Sequence, residues 1–195
     1  RTGQVFFGLD VNDPDFIPRA EIIRDKGIFL ADFWNHGTAV KGCLSAGGFN
    51  GGCYLHINWN GSVTPCVFVP YSPVNIKEVY AGGGTLTDAW ADPFFAGIRQ
   101  WQEDYEKDNG RHGNWLAPCI IRDHHDDFRR LLIEHEPDPS DSSAEEALMD
   151  PEYEQGMVAY GAAYQALSGE VWKKQYLCAE ETGRSESDAR IRGKG

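Results

Sequence analysis

Between residues 54 and 68 strand-favouring and polar residues gather around a central Asn60-Gly61. The pattern predicts a β-hairpin with strands over Tyr54 to Trp59 and Ser62 to Phe68, joined by a two-residue type I′ turn. Alternation along a strand would put Cys53, Leu55 and Ile57 on one face and Tyr54, His56 and Asn58 on the other. Downstream the apolar period changes from two to about 3.6. Thr85 or Thr87 can cap a short helix through Trp90, and Asp92-Pro93 reads as an N-cap followed by proline at the first helical position. Phe94, Phe95, Ile98, Trp101 and Tyr105 then form one apolar stripe, which Asn109-Gly110 should end.

A further helix is expected from near Asp126, with acids in its first turn and Phe128, Leu131 and Leu132 on its buried face. Glu134 to Ser143, EHEPDPSDSS, reads as a linker rich in proline, serine and acids. A long helix should follow, capped by Ser143 with Glu146 in capping-box register and weakened by Gly156, Gly161 and Gly169. Upstream, Val5 to Leu9 and Ile28 to Trp34 read as strands and Arg19 to Lys26 as a modest helix stopped by Gly27. Glu180 to Gly195 has the low apolar content of a disordered tail.

Charge narrows the choice of partners. The 195 residues carry a formal net charge of -12, which argues against nucleic acid, because phosphate binding favours a basic surface. From Glu134 onward fourteen acids face six bases, so the tail reads as a clamp over the globular part or a partner. No run has the length of a membrane span, and the opening RTGQVFFGLDVNDPDF lacks a signal-peptide layout. The absence of an initial methionine suggests a fragment or subdomain. Five cysteines are an odd count for a complete disulfide framework, so a reducing cytoplasm with thiolate ligands is the simpler expectation.

Three of those cysteines fall within GCLSAGGFNGGCYLHINWNGSVTPCVF, at Cys43, Cys53 and Cys66, and a fourth, Cys119, lies in NWLAPCIIRD. Four thiolates from a Gly-rich loop, a hairpin and a distant loop suit a tetrahedral zinc or an iron–sulfur cluster. No C-x2-C pair occurs, and wide spacing fits the larger centre better. The glycines between Cys43 and Cys53 could let backbone pass close to such a centre and offer N–H donors to it.

The run GCLSAGG, then CYLHINWNGSVTPCVF, NIKEV, an Asp-Pro-Phe-Phe helix and APCII resembles the C-terminal auxiliary-cluster region, of SPASM or twitch type, of radical S-adenosylmethionine enzymes. The resemblance covers roughly residues 28 to 133. It implies that Cys43, Cys53, Cys66 and Cys119 hold one auxiliary [4Fe-4S] cluster that relays electrons or positions a peptide or small-molecule substrate. The catalytic C-x3-C-x2-C motif is absent from this sequence. S-adenosylmethionine and its cluster would therefore belong to a barrel domain in the same or a partner chain.

The expected fold class is α+β: a small hairpin-centred cluster-binding domain with flanking helices and a long C-terminal helix. The expected division is a lead-in or barrel end over residues 1–41, the auxiliary iron–sulfur domain over 42–133, a linker over 134–143, a helical extension over 144–179 and a tail over 180–195. The competing reading is a non-catalytic interaction module with a structural zinc on the same four cysteines.

Other chemistry-bearing residues have plainer explanations. Asp32 and His36 after the Ile28 to Trp34 strand could serve as base or substrate contact, or simply as turn residues. Asp123, His124, His125, Asp126 and Asp127 include metal-accepting types, but adjacent histidines diverge and a helix start explains the acids. Arg122 could tune the cluster or touch substrate. Gly82-Gly83-Gly84 lacks the lysine and strand context of a phosphate loop, and Cys178 is expected to carry no ligand.

Overall fold

In the computed structural model, residues 42–48, 54–107 and 113–177 are described. The expectations for residues 1–41, including Asp32 and His36, lie outside them, as do those for Cys53, Asn109-Gly110, Cys178 and the tail.

The described chain mixes helices with two small antiparallel sheets. Strands β1 (His56–Ile57) and β2 (Ser62–Thr64) form the expected hairpin, with His56 opposite Thr64 and Ile57 opposite Val63. The connection differs from the two-residue expectation. Gly61 N–H donates to the Asn58 carbonyl at 2.9 Å, Asn58 N–H donates to Ser62 at 2.9 Å, and Gly61 has φ +97°. This is a three-residue loop whose last position takes positive φ. It also leaves Gly61 against the Asn75 side chain, where a Cβ would come within 2.6 Å of Oδ1.

Proline spacing at 70 and 73 predicts only a loop, yet β3 (Tyr71–Ser72) and β4 (Val74–Asn75) flank Pro73 and enter different sheets. Strand β4 pairs with β2, and β3 pairs with β5 (Asp138–Pro139). The stretch expected as a linker thus contributes a strand. Short edge pairings tolerate proline because they leave few N–H groups to satisfy.

Helices α1 (Ile76–Ala81) and α2 (Leu86–Trp90) follow, then the long α3 (Pro93–Lys107). Asn75 caps α1, accepting from Lys77 N–H at 3.0 Å, and Asp92 accepts from Phe94 N–H at 2.8 Å at the start of α3. Phe94, Phe95 and Ile98 are fully buried and join Val63, Val69 and Ala46 in the main core. Helix α4 (Ile120–Asp123) is a single turn after Cys119, and α5 (His125–His135) carries Phe128, Leu131 and Leu132 inward as expected.

The expected single C-terminal helix is two: α6 (Ser142–Met149) and α7 (Pro151–Val171), the latter continuing as a π turn over Trp172–Leu177. Asp141, rather than Ser143, caps α6 by accepting from Ala144 N–H at 2.9 Å. Asp150 accepts from the amides of Glu152 and Tyr153, and Pro151 occupies the first turn of α7. No α-helix among the described residues is long and apolar enough to cross a membrane.

Candidate metal centre

Cys43 follows Gly42, whose φ of +117° turns the chain into a tight 3-10 turn at Ser45–Gly47. Helix α3 pins that turn. Gln102 Nε2 donates to both the carbonyl and the hydroxyl of Ser45 at 3.0 Å, and Arg99 donates to the Ala46 carbonyl at 2.8 Å. From the other side, Ala46 N–H reaches the Pro65 carbonyl at 2.9 Å. The segment bearing Cys43 is therefore laced to the segment bearing Cys66.

The last glycine of this turn serves a purpose other than the expected approach to an inorganic centre. A Cβ on Gly47 would fall 2.2 Å from Nε1 of Trp90, so its bareness makes room for an indole. Trp90 is held in turn beneath the Arg99 guanidinium, 3.9 Å from the ring centre. Gly47 and Gly48 donate their amides to Tyr54 and Ser45 carbonyls, so these two glycines do not provide the expected N–H donors to sulfur.

Cys66 lies in a turn beyond β2, with its carbonyl accepting from Val69 N–H at 3.1 Å and from Thr64 Oγ1 at 3.1 Å. Burial pushes its thiol up to about 12, a nearby Cys43 adds to the rise, and the amides of Phe68 and Val69, hydrogen-bonded toward the sulfur, oppose it. Cys43 is raised by burial against similar help from the Ser45 hydroxyl, 3.3 Å away, and the Ser45 amide. N–H dipoles aimed at a sulfur stabilise its anionic, metal-binding form.

Cys119 sits at the entry to α4. Its N–H donates to Asp123 Oδ2 at 2.9 Å, and its carbonyl accepts from Asp123 N–H at 2.8 Å. Burial raises its thiol well above the ordinary range; Asp123, Cys43 and Cys66 raise it further, and Arg122 opposes them. Cys43 thus acts electrostatically on Cys66, and both act on Cys119, although they come from positions 43, 66 and 119. All three cysteines are half-buried as residues and are free of disulfides.

Beside them lies a buried ion pair. Arg122 presents its Nε and Nη2 edge to Asp123, with Nη2 2.9 Å from Oδ2, and its guanidinium stacks over Tyr164 of α7 at 4.5 Å. Burial disfavours the cation, but the Asp123 charge and hydrogen bonds outweigh it and keep the Arg122 pKa raised. The cation lowers the thiol pKa of both Cys43 and Cys119.

The neighbouring histidines have structural partners. His124 lies between Trp101 and Tyr105, 4.9 and 4.5 Å from their ring centres, and its Nε2 meets the Ala117 carbonyl at 3.0 Å. Gln165 of α7 approaches its Nδ1 at 3.3 Å. His125 Nδ1 bonds the Ile121 carbonyl at 2.9 Å, which makes that nitrogen the donor. Among the described residues no three His, Cys, Asp or Glu side chains gather tightly enough to hold one metal ion.

Gln102 and Tyr164 support the site without belonging to any sequence motif. A signal for Gln102 existed: it lies four residues beyond Ile98, on the buried face of α3, where a polar side chain needs a partner. No family model matches the chain, and no curated protein or solved structure shows significant similarity to it.

Proposed function

We propose that this chain is the auxiliary-cluster portion of a radical S-adenosylmethionine enzyme. In this reading Cys43, Cys66 and Cys119, with Cys53 as fourth ligand, hold one [4Fe-4S] cluster that relays electrons or positions substrate. The cysteine pattern carries the proposal, and it is supported by the reach of Cys43 to the Cys66 thiol and of both to the Cys119 thiol. The donor chemistry suits the group in three respects, although no three metal-accepting side chains among the described residues converge on one point: the proposed ligands are sulfurs, backbone amides face two of them, and Arg122 offsets negative charge at two. An iron–sulfur cluster supplies one-electron chemistry whose potential depends on hydrogen bonds, burial and nearby charge.

The chain's own residues would provide that environment. Ser45, Phe68 and Val69 donate amides toward sulfur, while Arg122, fixed by Asp123 and Tyr164, contributes positive charge. The reaction centre for S-adenosylmethionine would lie in a barrel domain of the same or another chain, in a cytoplasmic setting.

Anaerobic preparation with iron and sulfide analysis tests the reading. A brown protein with about four irons per chain supports it; a colourless protein with one zinc per chain would instead establish the structural-zinc module.

A further inference from the structure

A cavity of about 310 Å³ opens between α5, α6 and the start of α7, lined by Phe68, Ile121, Phe128 and Arg129 among others. Its volume lies at the small end of ligand pockets, which combine apolar walls with a few polar groups. Phe68, Ile121 and Phe128 form apolar wall, while Tyr71, His125 and Asp141 bring polar groups to the rim. Most of those groups are committed. The Tyr71 hydroxyl donates to the Ala144 carbonyl at 3.0 Å, Asp141 caps α6, and His125 Nδ1 bonds Ile121.

Arg129 is different, and a second arginine in the same protein shows how. Arg122 directs its Nε and Nη2 edge at both oxygens of a carboxylate. Among the described residues, the Nε of Arg129 is buried with no hydrogen-bond partner, and its Nη2 meets Glu154 at a long 3.5 Å. Its side chain is 18% exposed, whereas that of Glu154 is 40% exposed. A guanidinium edge is a planar two-donor fork that matches two coplanar oxygens, and a buried donor left unpaired is costly.

We infer that this cavity binds a small hydrophobic carboxylate, with the apolar body against Phe68 and Phe128 and the carboxylate on the Arg129 guanidinium. A singly charged planar acid suits the site better than a phosphate, because Asp141 and Glu154 flank it and disfavour extra negative charge. The inference goes beyond the cluster assignment and does not depend on it. The two sites nevertheless adjoin along the chain: Phe68 and Ile121 each follow a cysteine of the thiol group by two residues.

Phenylacetate, phenylacetamide and phenethylamine, titrated calorimetrically into the full chain, test the inference, with iron content measured on the same samples. Phenylacetate should bind with or without iron, phenylacetamide more weakly and phenethylamine not at all. Arg129→Gln should weaken phenylacetate binding by about tenfold or more. Ala147→Trp, which fills the cavity from α6, should abolish it, and Glu154→Gln should tighten it. No phenylacetate binding, equal binding of the amine, or unchanged affinity in Arg129→Gln overturns the inference. Should Arg129→Gln fail to fold, unchanged affinity in Ala147→Trp overturns it instead. Because the titration is independent of metal, absence of a cluster leaves this result standing.

Discussion

Gly161 of α7 lies directly against the backbone of Asp123: a Cβ at Gly161 would stand 2.6 Å from the Asp123 carbonyl oxygen. That contact brings the C-terminal helix onto the turn that carries Cys119, where Gln165 also donates to the Asp123 carbonyl at 2.7 Å. Gly161→Ala should therefore cost about 1–3 kcal/mol through overpacking. Gly156 and Gly169 on the same helix have open space where a Cβ would go. Alanine at either should stabilise by roughly 0.5–1 kcal/mol through helix propensity. Urea unfolding of the three variants reads the contrast; equal effects at all three would show that α7 is not seated on Asp123.

The Arg122 and Asp123 pair should behave as a buried ion pair, because their side chains are only 9% and 0% exposed. Arg122→Met leaves an uncompensated buried carboxylate and should destabilise by about 3–5 kcal/mol. The double variant Arg122→Met with Asp123→Asn should recover part of that loss. A double variant no more stable than the single one would place the cost in lost Tyr164 stacking instead.

Metal analysis of three variants separates ligands from bystanders. Cys66→Ala should abolish the cluster and loosen the hairpin, whereas Cys178→Ala should leave metal content unchanged. The paired replacement His124→Ala with His125→Ala should also leave metal stoichiometry unchanged, since both rings hydrogen-bond to carbonyls of their own neighbourhood. Equal metal loss in Cys66→Ala and Cys178→Ala would overturn the ligand assignment, and a lost equivalent in the double histidine variant would reveal a second site.

Alkali should weaken the metal-free protein. The Cys66 thiol has an ordinary value of 9.0 and is pushed up to about 12 in the fold, mainly by burial. A raised folded pKa contributes stability that is fully present below pH 9.0 and is lost as pH rises toward about 12. The unfolded chain releases the proton first, so stability at about pH 10 should be lower by roughly 1 kcal/mol than near neutrality from this group alone. Cys43 and Cys119, also raised, steepen the decline. Urea midpoints measured across this range check it: Cys66→Ala should flatten the curve partly, and an identical slope would remove Cys66 as a cause.

The sequence and the fold agree where local chemistry is decisive. Asp92-Pro93 announced the start of α3, and the identical pair Asp150-Pro151 marks the break between α6 and α7 that the single-helix expectation passed over. The hairpin was legible from Asn60-Gly61, but its loop is one residue longer because Gly61 takes its positive φ at the last loop position. The electrostatic influence of Cys43 and Cys66 on Cys119 depends on packing across more than fifty residues, and no periodicity encodes it. The cysteine spacing could only suggest that group. Arg99 was hidden for the same reason, and Gln102 showed only that it needed a partner, since their acceptors are backbone carbonyls of Ala46 and Ser45 rather than any motif.

The pairing of Tyr71 with Pro139 and of Ser72 with Asp138 has a practical consequence. A shortened protein ending near residue 135 would leave β3 without its neighbour and strip α6 and α7 from the surface they cover. Such a fragment should express poorly or aggregate, so recombinant work on the cysteine-bearing part should retain the chain through the π turn ending at Leu177.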